Sequence, residues 1–493
     1  MSQLQDAWTP RQKVLFWSVV GFALLLPRVL LQSALPVYLF SDDSHSYLLS
    51  AFHWTQTGDW ETSPRRGVVY SLWISGILQF CGNLNAVPLL QHLLGAASVA
   101  LAIAVFRSWI PGRFFWIALI VAVAYSVAGF PIFFEQTVRS EVLLLLFSTI
   151  AIASWAWFLK DRADWLLLPA GIAFGLATLI KNLLLPFPFV VAFWLLAERT
   201  QPLLGRGRRI LLLGFGCALP FFGNRVINHL SGHPPEAAPQ SGILLYGRVA
   251  QWTALDSPEQ AEIKQLIRAD IEDYRKLPRL NNNVILKRTA VPHIAAWLHQ
   301  RGGSRADLDR ICGALAREAI RTHPGKWAEQ VMSDFTRLHW KMKFPLDIPD
   351  ADDLREARLS TTKMKHRHPM LQQEETLAVL GRSEIVGDLA PYHFVTSGAW
   401  LFAWHPVLLT SLLLPLLILL DREKMRRPFW TVSAALWFFN VAIICTVGRP
   451  IPRYLIATLP VMFWTLGGAV LVGYSRITQI IDRRRNQSAS GNS

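Results

Sequence analysis

GVVYSLWISGILQFCG, residues Gly67 to Gly82, is the stretch whose placement fixes the topology of this chain. It is apolar almost throughout but only 16 residues long, short of the roughly 20 that a perpendicular membrane-spanning helix needs. Counting it as a span also reverses the sidedness of every loop that follows. It is therefore read as a helix lying in the outer membrane interface.

Working outward from it, ten apolar stretches too long and too charge-poor for soluble core helices fall near residues 14–39, 86–106, 114–134, 141–159, 165–181, 183–197, 210–224, 400–420, 429–448 and 454–474. The first continues apolar to Phe40 without a small-residue cleavage site, so it is read as a retained span rather than a signal peptide. With the N-terminus inside, alternate loops carry Arg11 and Lys13, Arg107 and Arg113, Lys160 and Arg162, Arg199 to Arg209, Arg422 to Arg427, and Arg476 to Arg485. Lys and Arg are retained on the cytoplasmic side, and all six loops agree, which puts both termini in the cytoplasm. These loops hold 18 bases against 7 acids, so most of the net charge of +15 reflects insertion and contact with anionic lipid heads.

That reading also disposes of the partner a basic chain first suggests. Only 17% of the residues are charged and 52% are hydrophobic, which excludes a disordered tail and a nucleic-acid array built on charge. Cys81, Cys217, Cys312 and Cys445 show no paired spacing and suggest no metal cage. No repeat period is present, which weighs against a transporter built on inverted repeats.

The expected organisation is a transmembrane module over 1–224 with an outer loop at 40–85, an extracytoplasmic domain over 225–399, C-terminal transmembrane helices over 400–475 and a basic cytoplasmic tail over 476–493. The polar tract runs from Asn224 to Trp400; its first part, His229 to Gly242 (HLSGHPPEAAPQSG), is loop-like, and helical patterns follow over Ser257–Tyr274 and Arg305–Arg321. Ser257-Pro258-Glu259 is placed as N-cap and first turn of the first of these. An amphipathic stretch, Lys326 to Phe344, resembles a helix returning to the membrane.

Six acids, Asp42, Asp43, Asp59, Glu61, Glu135 and Glu141, and seven bases, Arg28, Arg65, Arg66, Arg139, Lys181, Arg449 and Arg453, fall at or near the outer surface. Ionisable groups near a bilayer are costly and mark function by default. Carboxylates beside a cationic cluster suit a reaction with a phosphate leaving group: a base for the acceptor and fixed positive charge for the departing phosphate. Asp42 and Asp43, read as extended chain, point to opposite sides, so one of the two faces the site.

Ser41-Asp42-Asp43-Ser44-His45-Ser46-Tyr47, then Gly58-Asp59-Trp60 and Pro64, resembles the first outer loop of the integral-membrane glycosyltransferases of the GT-C superfamily. The branch it is most similar to holds the protein O-mannosyltransferases and the lipid A aminoarabinose transferases. There the loop reads Asp-Glu-x-x-Tyr, then Gly-Asp-Trp, then Pro; Asp43 and Tyr47 take the Asp and Tyr positions, and Ser44 stands where the family often has Glu. Phe134 to Glu141 is similar to the second outer loop, with Glu141 the better match to its acid and Glu135 the runner-up. Gly175-Leu-Ala-Thr-Leu-Ile-Lys181 resembles Gly-Leu-Ala-x-Leu-Thr-Lys, Ala319 to Pro324 resembles the segment before the return to the membrane, and Pro452-Arg453-Tyr454 resembles the Arg-Tyr signature near the C-terminus.

The resemblance implies an all-α polytopic GT-C fold of about ten transmembrane helices with a mainly helical periplasmic insert. It implies transfer of a sugar from a polyprenyl-phosphate carrier, such as undecaprenyl phosphate, to a glycolipid, glycan or protein acceptor, with inversion. Asp43 and Glu141 are then catalytic, Asp43 as the carboxylate that activates the acceptor. Glu141 orients Asp43, binds a cation or holds an arginine. Lys181, Arg453, Arg139, Arg65 or Arg66, with Tyr47 and Tyr454, bind the donor, Arg being suited to bidentate phosphate contact. The resemblance leaves room for a divalent cation between Asp43, His45 and Glu141, and names no other cofactor and no nucleic-acid partner. Rival readings are a ligase or polymerase using a pyrophosphate-linked donor, and a lipid or glycan transporter.

Overall fold

The computed structural model describes residues 9–34, 41–58, 68–109, 130–181, 184–230, 241–277, 282–341, 406–421, 426–446 and 458–490, with single positions at 116, 119, 120, 123 and 455. Every regular element of more than one residue among them is helical. They are α1 (Pro10–Ala34), α2 (Ser41–Thr57), α3 (Val68–Cys81), α4 (Ala86–Trp109), α5 (Phe130–Gln136), α6 (Glu141–Asp161), α7 (Leu167–Ile180), α8 (Pro186–Ala197) and α9 (Leu203–Leu230). There follow α10 (Ser241–Val249), α11 (Ala261–Arg275), α12 (Asn282–Lys287), α13 (Ala290–Gln300), α14 (Arg305–Thr322), α15 (Pro324–Thr336), α16 (Pro406–Leu420), α17 (Arg427–Thr446) and α18 (Leu459–Ser490).

Five of these, α1, α4, α6, α9 and α17, are long and apolar enough to cross a membrane, and α3, α7, α8 and α16 are shorter apolar helices. An integral membrane protein follows, since a helix satisfies all its backbone groups within one segment where no water can. Most of the expected span at 114–134 lies outside the described residues, as does the tract 342–405.

The chain divides into two compact units: Met1–Ser231, Met342–Asn440 and Pro452–Ser493 form one, and Gly232–Lys341 with Val441–Ile451 the other. In the first, α7 lies directly against α9. A Cβ on Gly171 would collide with the backbone oxygen of Leu213, and one on Gly216 with that of Leu168. Between apolar helices in lipid there is no hydrophobic drive, so small residues that let backbones touch supply the packing.

The second unit closes on Tyr246, Ile267, Ile271, Ile294, Cys312, Leu315 and Ala319. Burial pushes the Cys312 thiol up to about 12, the behaviour of a small core hydrophobe. Here α14 begins at a capping box, Ser304 accepting from the Asp307 amide and Asp307 from the Ser304 amide. Lys264 is fully buried against Glu318 at 2.7 Å and donates to Ser257 at 3.0 Å.

Three local expectations change. α11 starts at Ala261, four residues after Ser257, because the Ser257 hydroxyl is spent on Glu318 and Lys264 instead of on a helix end. Of the expected loop at 229–242, His229 and Leu230 end one helix and Ser241 and Gly242 begin the next, while 231–240 lie outside the described residues. The segment 41–47 is helix, not extended chain: Ser44, Tyr47, Leu48, Ala51 and Phe52 are buried at helical spacing, and Asp42 and Asp43 fall in the first turn, where the helix dipole favours acids. The two acids are therefore about 100° apart around a helix rather than on opposite sides of a strand.

Candidate active site

Seven elements of the first unit converge at one end: the later turns of α1, the early turns of α2 and of α3, the start of α4, α5, the start of α6 and the end of α7. Glu141 opens α6 and Lys181 closes α7, so each charge sits at the helix end whose dipole favours it. Lys181 Nζ donates to Glu141 Oε1 at 2.8 Å, with the two side chains 15% and 5% exposed. A partly buried ion pair of this kind is one that a competing phosphate could exchange into.

Tyr47 reaches the same place from α2. Its hydroxyl lies 2.9 Å from Ser140 Oγ, beside Glu141, and its ring meets Tyr70 of α3 edge to face, centroids 4.8 Å apart. Tyr70 in turn donates to Gln91 Oε1 at 2.6 Å, and burial, with the neighbouring Tyr47 and Glu141, pushes its hydroxyl well above the ordinary range. Gln91 Nε2 donates to the backbone oxygens of Glu135 and Thr137, 2.7 Å each. Arg139 is 1% exposed and its guanidinium lies over the Phe134 ring at 5.6 Å.

Behind this layer is a second, fully buried one. Glu135 accepts from Arg28 Nε and Nη2, both at 2.7 Å, and its Oε2 lies 2.9 Å from His92 Nδ1. His92 Nε2 lies 2.7 Å from Gln136 Oε1. Gly95, one turn beyond His92, makes the room: a Cβ there would overlap the Glu135 carboxylate.

Of the residues expected at the site, the fold brings together Tyr47, Arg139, Glu141 and Lys181. Asp43 stands one helical turn before Tyr47, on the same face of α2 by register. The side chains of Asp43 and His45, and Arg65, Arg66, Arg453 and Tyr454, lie outside the described residues. Glu141 holds Lys181. Among the described residues no three His, Cys, Asp or Glu are grouped to hold a metal. At Glu141, the one described member of the expected cation set, an ammonium already occupies an oxygen.

Tyr70, Gln91 and His92 are the residues that sequence reasoning passed over. Tyr70 and the pair Gln91-His92 sit in apolar stretches, and the partners of Gln91 and His92 in the segment 135–137 lie 43 to 46 positions away. The one available signal was that Gln91, His92 and Gly95 share a helix face near the start of a span.

No protein-family model and no curated protein matches the chain. Two solved structures align with it, both crystal structures of ArnT from Cupriavidus metallidurans. The one bound to undecaprenyl phosphate covers 86% of this chain and 85% of its own at 12% identity and a TM-score of 0.37. The apo one covers 94% and 78% at 13% identity and a TM-score of 0.36.

Proposed function

We propose that this protein is a membrane glycosyltransferase that moves a sugar from a polyprenyl-phosphate carrier to an acceptor on the extracytoplasmic face, with inversion at the anomeric carbon. The observation that carries the reading is the Glu141–Lys181 pair set beside Tyr47 and Arg139 at one helix end, with Asp43 one turn from Tyr47. The order of motifs along the sequence supports it independently.

In this scheme Asp43 takes the proton of the acceptor hydroxyl as its oxygen attacks the anomeric carbon. The bond from that carbon to the carrier phosphate oxygen breaks, and the electron pair leaves with the phosphate. Lys181 and Arg139, joined by Arg453 and by Arg65 or Arg66, stabilise the charge that develops. Glu141 keeps Lys181 in place and neutralised until the donor arrives. The domain over 225–399 shapes acceptor choice.

The test uses membranes containing the full chain and a polyprenyl-phosphate-linked sugar. Asp43→Asn abolishes transfer while the protein is still made; near-native turnover by that variant overturns the assignment. Lys181→Ala raises the apparent donor KM, and an unchanged KM removes Lys181 from the phosphate site.

A further inference from the structure

We infer that Gln91 is a positioning residue for the reaction proposed above: it fixes helix α2 and the segment 135–141 at one spacing. Gln91 is 0% exposed in the apolar helix α4, where an amide without partners is destabilising and a leucine is not. All of its partners are in place. Nε2 donates to the backbone oxygens of Glu135 and Thr137, 2.7 Å each, and Oε1 accepts from the Tyr70 hydroxyl at 2.6 Å. A backbone oxygen only accepts, so turning the amide over would set oxygen against oxygen twice. The orientation of Gln91 is fixed by that.

What Gln91 holds is a link between two helices. α5 has seven residues and ends at Gln136, and the last four carbonyls of a helix have no partner inside it. The Glu135 oxygen is one of those. Thr137 lies just past the helix end, and its oxygen accepts from Gln91 and from the Arg139 amide, the latter at 2.8 Å. Residues 135 to 138 are 0% exposed, so bulk water is not the alternative partner. The same link then delivers Arg139, Ser140 and Glu141.

The contacts close on themselves. Tyr70, bonded to Gln91 Oε1, meets the Tyr47 ring of α2 edge to face at 4.8 Å, and the Tyr47 hydroxyl lies 2.9 Å from Ser140 Oγ, three residues beyond Thr137. The path leaves the segment through Gln91 and returns to it at Ser140. A closed path fixes the relative positions of its members, where a chain with a free end would swing. α2 carries Asp43, and Glu141 at the start of α6 holds Lys181. In the proposed function these are the acceptor-activating and phosphate-binding sides of the site, so the three hydrogen bonds of Gln91 set the distance between them. An error of about 1 Å in such a distance lowers a rate about 10²-fold.

The test uses the full chain in lipid bilayers. Gln91→Met keeps the length of the side chain and removes all three hydrogen bonds. In hydrogen exchange it speeds the amides of residues 137–141 about tenfold or more, the scale of two lost hydrogen bonds; unchanged exchange overturns the clamp. With a polyprenyl-phosphate-linked sugar, kcat of Gln91→Met falls about 10²-fold and donor KM is unchanged, because Lys181 is carried by α7. A native kcat, or a loss confined to KM, overturns the positioning role. Tyr70→Phe is the milder variant and serves where Gln91→Met does not fold: it removes one bond of the closed path and keeps both bonds to the segment. Its kcat falls about twofold to tenfold, the scale of one hydrogen bond, and a native kcat overturns the path through Tyr70. Added to Gln91→Met, Tyr70→Phe lowers kcat no further, since the bond it breaks is already gone; additive losses overturn the coupling. A native chain without transfer activity counts against the proposed function and leaves hydrogen exchange to decide the clamp.

Discussion

The two ends of α6 and α7 handle charge in opposite ways. Among the described residues at the end that holds Glu141 and Lys181, the ion pairs are buried or nearly so and join different helices, Arg28 to Glu135 and Lys181 to Glu141, with the neutral contact of Tyr47 to Ser140 beside them. At the far end Asp164 is shared by Arg208 and Arg209, and Glu198 by Arg162 and Arg209, with Arg208 70% exposed. Bases outnumber acids there, which is what retention of Arg on one side of a membrane produces. Solvent can replace Arg208 and Arg162, the exposed members of that cluster. Nothing can replace Arg28, so the first end stores specific geometry and the second only anchors the bundle.

The sharpest way to break the contrast is Glu135→Ala. It leaves the Arg28 cation buried without its partner, and removal of one member of a buried pair costs about 3–5 kcal/mol. Unfolding in detergent measures it; a loss below about 1 kcal/mol would mean that the two ends are alike. Next comes the Glu141–Lys181 pair, where a double-mutant cycle with Glu141→Gln and Lys181→Met gives a coupling of about 1.5–3 kcal/mol, as for hydrogen bonds to charged groups. Tyr47→Phe removes a single neutral hydrogen bond to Ser140 and costs about 0.5–1.5 kcal/mol, with a measurable fall in transfer.

At the far end the effects shrink. Arg208→Ala changes stability by about 0–1 kcal/mol and leaves transfer unchanged, because the pair it breaks is solvated. Asp164 supplies the pH test. Partial burial raises its carboxyl, but the hydrogen bonds from Arg208 and Arg209 outweigh that and hold it below its ordinary value. A carboxyl lowered by folding adds stability that is complete above its unfolded value, about 3.9, and is lost as pH falls through the folded one. Melting temperature therefore falls slightly more steeply on acidification in the native chain than in Asp164→Asn; equal slopes remove Asp164 from the account.

Much of the fold was legible. The apolar runs at 86–106, 141–159 and 429–448 became α4, α6 and α17 with shifts of a few residues, because hydrophobicity sustained over 20 residues has few other outcomes. The helix α2 was misread: its polar opening, Ser41 to Ser46, hid the stripe Ser44, Tyr47, Leu48, Ala51 and Phe52 that buries it. α10, α12 and α13 passed unnoticed because their apolar content is explained only by the core of the second unit, to which Tyr246, Ile285 and Ile294 belong. At the site, Arg139, Glu141 and Lys181 could be named from sequence, since charge beside a membrane is costly enough to stand out, while Tyr47 was named only through the motif resemblance.

By itself, then, the sequence determined that the chain is helical, that it enters a membrane, and which charges sit at the ends of its apolar helices. Those are consequences of local hydrophobicity and of charge placed at helix ends, and they need no partner. Only the tertiary structure decided that Glu135 meets Arg28 across 107 residues, that Gly95 leaves it the room, and that His92 lies between Glu135 and Gln136. Hydrogen-bond polarity is a property of pairs, and the pairs exist only once the helices have packed.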